Sequence, residues 1–132
     1  MRPRPTAPRR DQDLRDSAQV TLGVIGGKWK LRIYDQLRRG TARFGQLRRA
    51  LPHVTQTVLT QHLRELEDDG VVARTVHPEV PPRVEYALTD FGRTLACVIA
   101  VMRQWGTQYQ ALVVGMRRAA GRTAEPQDAR AS

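Results

Sequence analysis

The chain has 132 residues, 40% of them hydrophobic, a length and composition that fit one domain with a modest core. Lysine and arginine outnumber the acidic residues by 22 to 13, and the formal net charge of +9 predicts binding to a polyanion, most commonly nucleic acid. The single cysteine, Cys97, excludes an internal disulfide, and no apolar run reaches transmembrane length. We therefore expect a cytoplasmic protein without a membrane partner.

The two ends of the chain differ in composition from its middle. Residues 1–13 are rich in proline and arginine, and residues 117–132 mix alanine, glycine, proline and charges without an apolar period. Such segments bury too little apolar surface to become ordered alone, so we expect a flexible basic arm and a disordered tail. Residues 14–116 between them form the predicted domain.

Two helices and a dense basic segment open this domain. A helix is predicted over residues 14–25, ended by Gly26 and Gly27. A second helix over residues 28–39 is apolar on two sides, which predicts burial from two sides. Residues 28–49 carry eight basic residues and one acidic residue, a net charge of +7. Charge runs are often plain solvated surface, but this one directly precedes a candidate DNA-reading helix.

The next segment has the order of elements of a helix-turn-helix. A short strand is predicted within residues 41–43, and a third helix over residues 44–51 is closed by Pro52. Thr55 is a suitable N-cap for a fourth helix, which ends at Gly70. The short link between the third and fourth helices is the predicted turn.

The fourth helix has an apolar face and a polar face. Steps of 100° per residue bring Leu59, Leu63 and Leu66 together on the side expected to face the core. The opposite side carries amides, hydroxyls and a guanidinium, groups that read base edges, although an ordinary solvated face is the alternative. Acidic residues near the end of the helix repel phosphate, so we expect its first half to do the reading. The predicted base-reading residues are Gln56, Thr57, Gln61 and Arg64.

A β-hairpin follows, which is the element that forms the wing of a winged helix. Strands are predicted over residues 71–77 and 83–88, and three prolines stiffen the loop between them. A stiff arm loses less entropy when it docks on DNA. For Arg74 the alternative is a cross-strand pair with Glu85. The predicted contacts to the DNA backbone are Lys28, Arg43, Arg48, Arg49, Thr55 and Thr60, with Arg74, His77 and Arg83 on the wing.

The last predicted helix starts at Thr89 and bears an apolar seam that repeats at alternating steps of four and three residues. This seam is longer than a small domain can cover, so we predict a homodimer, with packing against the first helix as the alternative. Gly106 is a candidate bend in the helix. A two-fold dimer would place two reading helices about 34–36 Å apart on a palindromic operator. The predicted dimer residues are Leu14, Leu22, Leu95, Val98, Met102, Trp105, Tyr109 and Leu112.

No catalytic or metal-binding pattern is present in the sequence. The three histidines lack Cys, Asp or Glu partners at metal-ligand or triad spacing, and there is no glycine-rich phosphate loop. We therefore expect neither an enzyme nor a cofactor. The predicted fold class is mainly α (α+β): a winged helix-turn-helix with a two-stranded wing and terminal dimerisation helices.

The chain resembles the HxlR-type bacterial winged helix regulators over residues 17–105, in the stretches GVIGGKWKLRIYDQL, RFGQLRRALPHVTQTVLTQHLRELEDDGVVAR and HPEVPPRVEYALTDFGRTL. The resemblance implies a dimeric transcriptional regulator. Its terminal helices would form the dimer, its fourth helix would enter the major groove and its hairpin would be the wing. A sequence-specific regulator is thus the expected function, and a non-specific architectural DNA- or RNA-binding winged-helix protein is the alternative.

The chain departs from this family at one sensory position. Many members carry a Cys-Pro pair just before the first helix, and in several of them that cysteine senses quinones, aldehydes or oxidants. Here Ser17 and Ala18 stand at those positions, which excludes thiol chemistry there. Cys97 is expected to be a small packing residue. We instead expect a reversible small-molecule effector near the dimer interface, in a pocket with the candidate lining residues Trp29, Tyr34, Trp105 and Tyr109.

Overall fold

The computed structural model describes residues 16–121. Its elements are, in order, α1 (Ser17–Ile25), α2 (Lys28–Arg38), β1 (Ala42–Arg43), α3 (Phe44–Ala50), α4 (Gln56–Asp68), β2 (Val72–His77), β3 (Arg83–Leu88), α5 (Asp90–Arg93) and α6 (Ala96–Ala119). The mainly helical winged helix-turn-helix predicted from the sequence is confirmed. The predictions for the arm over residues 1–13, for a dimer contact at Leu14 and for the chain beyond residue 121 lie outside the described residues.

Side-chain caps determine where the helices begin. The Asp16 carboxylate accepts a hydrogen bond from the Ala18 amide at 2.8 Å, so α1 starts at Ser17, three residues later than predicted. The Thr55 hydroxyl accepts from the Val58 amide at 3.1 Å and starts α4 as predicted. A capping oxygen satisfies an amide that the first helical turn leaves without an intrahelical partner.

The three strands form one antiparallel sheet in the order β1-β3-β2. The short strand β1 pairs with β3, with Ala42 opposite Tyr86, a pairing that adds a third strand to the two-stranded wing. The register places Thr75 opposite Glu85 and Arg74 opposite Tyr86. Because neighbouring residues of a strand point to opposite faces, the cross-strand pair considered for Arg74 and Glu85 is wrong.

A single apolar core lies between α2, α4 and the sheet. Helix α2 is buried from two sides as predicted, and the apolar face of α4 packs on it. The side chain of Ile99, which lies outside the predicted seam, is the contribution of α6. The buried cluster comprises Ile25, Trp29, Ile33, Tyr34, Leu37, Leu47, Leu51, Val54, Val58, Leu59, Leu63, Leu66, Val71, Val72, Leu88 and Ile99.

The last helix is divided, whereas the sequence predicted one helix from Thr89. The Thr89 hydroxyl caps the short helix α5 by accepting from the Gly92 amide at 2.8 Å, and a turn at residues 94–95 separates α5 from α6. Helix α6 then continues through Gly106, so the helix does not break at that residue. It extends to Ala119, which puts the first three residues of the predicted tail in a helix.

Candidate nucleic-acid interface

The two faces of α4 differ as the sequence predicted. Leu59, Leu63 and Leu66 are buried in the core. The polar residues Gln56, Thr57, Thr60, Gln61 and Arg64 are all exposed. The helix therefore presents a continuous polar face, and the major groove of DNA is wide enough to admit an α-helix.

A buried ion pair attaches α4 to α2. Lys30 Nζ lies 2.6 Å from Glu65 Oε1, and the two side chains are only 6% and 17% exposed. Gln61 donates to the other Glu65 oxygen at 2.9 Å, so the ion pair also orients a predicted base-reading side chain. Lys30 lies in the basic segment of residues 28–49, but its charge is paired inside the protein.

His62 lies beside this ion pair. Its Nδ1 atom is buried and has no hydrogen-bond partner among residues 16–121. Burial lowers the pKa of His62, and the nearby Lys30 charge lowers it further. The ring therefore stays neutral at neutral pH.

The predicted backbone contacts on α2, β1 and α3 have different surroundings. Arg43 and Arg49 are exposed, whereas Arg48 is half-buried. Lys28 lies over the Trp29 ring, with its Nζ atom 5.3 Å from the ring centroid, in cation–π contact. Thr55 and Thr60 are exposed on α4, although the Thr55 hydroxyl is also used as the N-cap.

Two of the three predicted wing contacts already interact with carboxylates. Arg83 donates to Glu79 and to Glu85, both at 2.8 Å, and His77 Nε2 lies 2.9 Å from Glu85. The hydrogen bond from Arg83 lowers the pKa of Glu79, and the one with His77 lowers that of Glu85, so both carboxylates keep their charge. Contacts from Arg83 and His77 to phosphate stay predictions, and they require these pairs to open or to be shared.

Arg74 is the third predicted contact on the wing, and its surroundings differ from those of Arg83 and His77. It is exposed on the opposite sheet face from Glu85, opposite Tyr86. No carboxylate in residues 16–121 forms an ion pair with it. A phosphate contact by Arg74 therefore costs no internal ion pair.

The far end of the domain exposes an apolar surface. Beyond Arg103, whose guanidinium is paired with Asp35 of α2, most of α6 lies away from the core. Leu95, Val98 and Tyr109 are half-buried, and Cys97 is exposed, so the expectation that it is a packing residue is wrong. The exposed large apolar residues of α6 are Val101, Met102, Trp105, Leu112 and Met116, and Leu22 of α1 and Phe91 of α5 are exposed as well.

The four aromatic residues proposed to line an effector pocket are not brought together within the chain. Trp29 and Tyr34 are buried in the core, and the Tyr34 hydroxyl donates to the Gly92 carbonyl at 2.7 Å. Trp105 and Tyr109 contact each other on α6, with ring centroids 5.0 Å apart and planes inclined by 41°. Trp105 is mostly exposed.

Within residues 16–121 no group of three or more His, Cys, Asp or Glu side chains is placed to hold a metal ion. None of the helices in the same range combines the length and the apolar character that crossing a membrane requires.

Comparison with known proteins adds to this geometry. The model of the HxlR-like helix-turn-helix family matches residues 24–113. The HTH-type transcriptional regulator YdeP of Bacillus subtilis (strain 168) is 51% identical over 92 residues, which cover 70% of this chain and 72% of that protein. The redox regulator HypR in its reduced form has a TM-score of 0.71 at 45% identity, over 76% of this chain and 99% of that chain. The crystal structure of the HTH-type regulator YtcD has a TM-score of 0.69 at 45% identity, over 73% and 98%.

Proposed function

The chain belongs to the HxlR-like helix-turn-helix family, and we propose that it acts as a homodimer that reads a palindromic DNA operator in the cytoplasm. The protein is an HTH-type transcriptional regulator and not an enzyme, and DNA is its partner. The finer proposal concerns which residues read the bases, how two copies assemble and what controls them.

The observation that carries the proposal is the polar face of α4. The first nine residues of this helix expose two amides, two hydroxyls and one guanidinium, while the Lys30–Glu65 pair and the buried leucines hold its other side. Amides pair with adenine and guanidinium pairs with guanine in the major groove. Side chains that a rigid helix holds in place lose less entropy on binding.

Arg64→Ala is expected to lower the ratio of the affinity for operator DNA to the affinity for scrambled DNA by about tenfold. One good contact between a side chain and a base contributes about 1–3 kcal/mol of discrimination. The operator is first obtained by sequencing the genomic fragments that the purified protein retains. Affinity is then measured on that operator and on a scrambled duplex of equal length.

The control variant is Arg74→Ala, because Arg74 is an exposed wing residue expected to contact phosphate only. It should weaken both duplexes alike and reduce the salt slope by about one unit. Equal losses on both duplexes for Arg64→Ala would remove Arg64 from the base-reading set. A wild-type specificity ratio near one with a steep salt slope would favour the non-specific architectural alternative.

The exposed seam of α6 supports a homodimer. Five large apolar side chains of this one helix face solvent in the single chain, a density that monomeric proteins rarely expose in one patch. A second copy of the same helix would cover them, and the two-fold symmetry of such a pair would match a palindromic operator.

Leu112→Glu is expected to convert the dimer into a monomer, because it places a carboxylate within the proposed apolar interface. Ala111→Glu is the matched control, since Ala111 is also exposed but lies about 130° around the helix from the seam. Sedimentation equilibrium measures the oligomeric state of the two variants and of the wild type. A monomeric wild-type protein, or equal dissociation in the two variants, would contradict the proposed interface.

Control by a reversible small molecule is the last part of the proposal. The similar protein HypR is a redox regulator, but this chain has Ser17 and Ala18 where many family members carry the sensing Cys-Pro pair. A hydroxyl forms neither a thiolate nor a disulfide. Screening quinones, phenols and other metabolites for a shift in melting temperature and in operator affinity tests this part.

A further inference from the structure

A half-enclosed cavity of about 270 Å³ lies where α2 ends, against the inner side of the sheet and the start of α6. Its apolar wall includes Leu37, Leu88 and Ala96, and its polar groups include Thr41, Arg38 and Arg93. The volume is just below the range usual for drug-sized ligands, so an occupant would be about one ring in size.

The charged side chains that line this cavity are all positive. Two of its lining residues are arginines and none is acidic. Arg38 is exposed and forms no ion pair within residues 16–121. The carboxylate paired with Arg93 is that of Asp90, at 3.1 Å, and both of those side chains are largely exposed to solvent. Such a surface pair contributes little and opens easily.

We infer that this cavity binds a small monocyclic organic acid, with its carboxylate between Arg38 and Arg93 and its ring against Leu37, Leu88 and Ala96. A guanidinium fork donates two parallel hydrogen bonds to a carboxylate, and such charged hydrogen bonds are about twice as strong as neutral ones. The ring takes the place of water against the apolar wall. Both ends of the ligand are thereby recognised.

The position of the cavity connects binding to regulation. Arg38 and Thr41 belong to the body that carries the helix-turn-helix, whereas Arg93 and Ala96 flank the turn at residues 94–95. Helix α6 begins after this turn, packs on that body through Ile99 and Arg103, and then extends away from it. A ligand that contacts Arg38 on one side and Arg93 on the other stabilises one orientation of α6 relative to that body. Because this inference rests on the proposed function, in which α6 forms the dimer, that orientation determines the distance between the two α4 helices on DNA.

Calorimetric titration of the full-length protein with benzoate, without DNA, tests the site directly. Benzoate should bind in a saturable manner, and the neutral isostere benzamide should bind at least about tenfold more weakly. Arg38→Gln should lose about tenfold in benzoate affinity. Arg39→Gln is the matched control, because Arg39 is the exposed neighbour that does not line the cavity, and its affinity should equal that of the wild type.

Ala96→Leu provides a second variant that keeps both arginines and fills the cavity, and it should also abolish binding. Equal benzoate affinity in the wild type and Arg38→Gln would overturn the site. Equal losses in Arg38→Gln and Arg39→Gln would also overturn it, because they would show a general effect of charge. Benzamide binding as tightly as benzoate would overturn the choice of an anion.

A separate measurement with DNA tests the regulatory half of the inference. Saturating benzoate should change the operator affinity of the wild type by at least about fivefold, and that of Arg38→Gln much less. Benzoate binding with unchanged operator affinity would overturn the coupling. Absence of any sequence-specific DNA binding would contradict the proposed function instead, while the calorimetry would still decide on the site itself.

Discussion

Glu65→Gln is expected to lower the free energy of unfolding by about 3–5 kcal/mol, the usual loss when one partner of a buried ion pair is removed. The reason is that the variant leaves the amino group of Lys30, a residue only 5% exposed, without a carboxylate beside it. The loss is large compared with a total stability of about 5–15 kcal/mol. Urea denaturation of the full-length protein measures it.

Two further variants separate the ion pair from a general effect of charge. Glu67→Gln removes an exposed carboxylate from the same helix and should change stability by less than about 0.5 kcal/mol. The double variant Lys30→Met with Glu65→Leu removes both charges and should recover most of the loss, since apolar pairs of similar volume often replace buried ion pairs. Equal stabilities of Glu65→Gln and Glu67→Gln would refute the assigned role.

The same ion pair has a consequence for DNA binding. Glu65 also accepts the hydrogen bond from Gln61, through the carboxylate oxygen that does not contact Lys30, so Glu65→Gln weakens the contact that orients this predicted base-reading amide. We therefore expect the operator affinity of Glu65→Gln to fall more than its affinity for scrambled DNA, even at temperatures where the variant is folded.

Gly92→Ala is expected to cost about 3 kcal/mol or more, because a Cβ atom at this position overlaps the backbone carbonyl oxygen of Val71. Gly92 is buried at the point where α5 crosses the start of β2. It is held from both sides there: its amide donates to Thr89, and its carbonyl accepts from the Tyr34 hydroxyl at 2.7 Å. The backbone cannot retreat without breaking these bonds.

The same substitution at Gly106 is expected to have the opposite effect on stability. Gly106 lies in the middle of α6 with open space where a Cβ would be placed. Alanine there should stabilise the helix by about 0.5–1 kcal/mol, since glycine is the poorer helix former. Thermal unfolding of both variants beside the wild type provides the test, and a Gly92→Ala protein as stable as Gly106→Ala would refute the close approach at Val71.

Much of the reading surface was predictable from the sequence because it depends on local periodicity. The 100° step of a helix by itself separated Leu59, Leu63 and Leu66 from the polar side of α4, and Thr55 marked the start of that helix. Alternation of period two likewise located β3, and the regular repeat after Thr89 indicated a long apolar surface. The three stretches resembling the HxlR-type regulators pointed to the family.

Tertiary structure alone decided which charges are free and where the last helix divides. Lys30 lies in a segment rich in basic residues, and no local pattern indicated that it would form an ion pair with Glu65, which lies 35 positions further along the chain. Arg83 and His77 share carboxylates that the register of the hairpin brings beside them. The break between α5 and α6 lies close to Gly92, which is held between Val71 and Tyr34, contacts that no local pattern indicated. Periodicity reports only which side of an element is apolar. Pairing of distant side chains depends on how the elements pack, which local pattern does not encode.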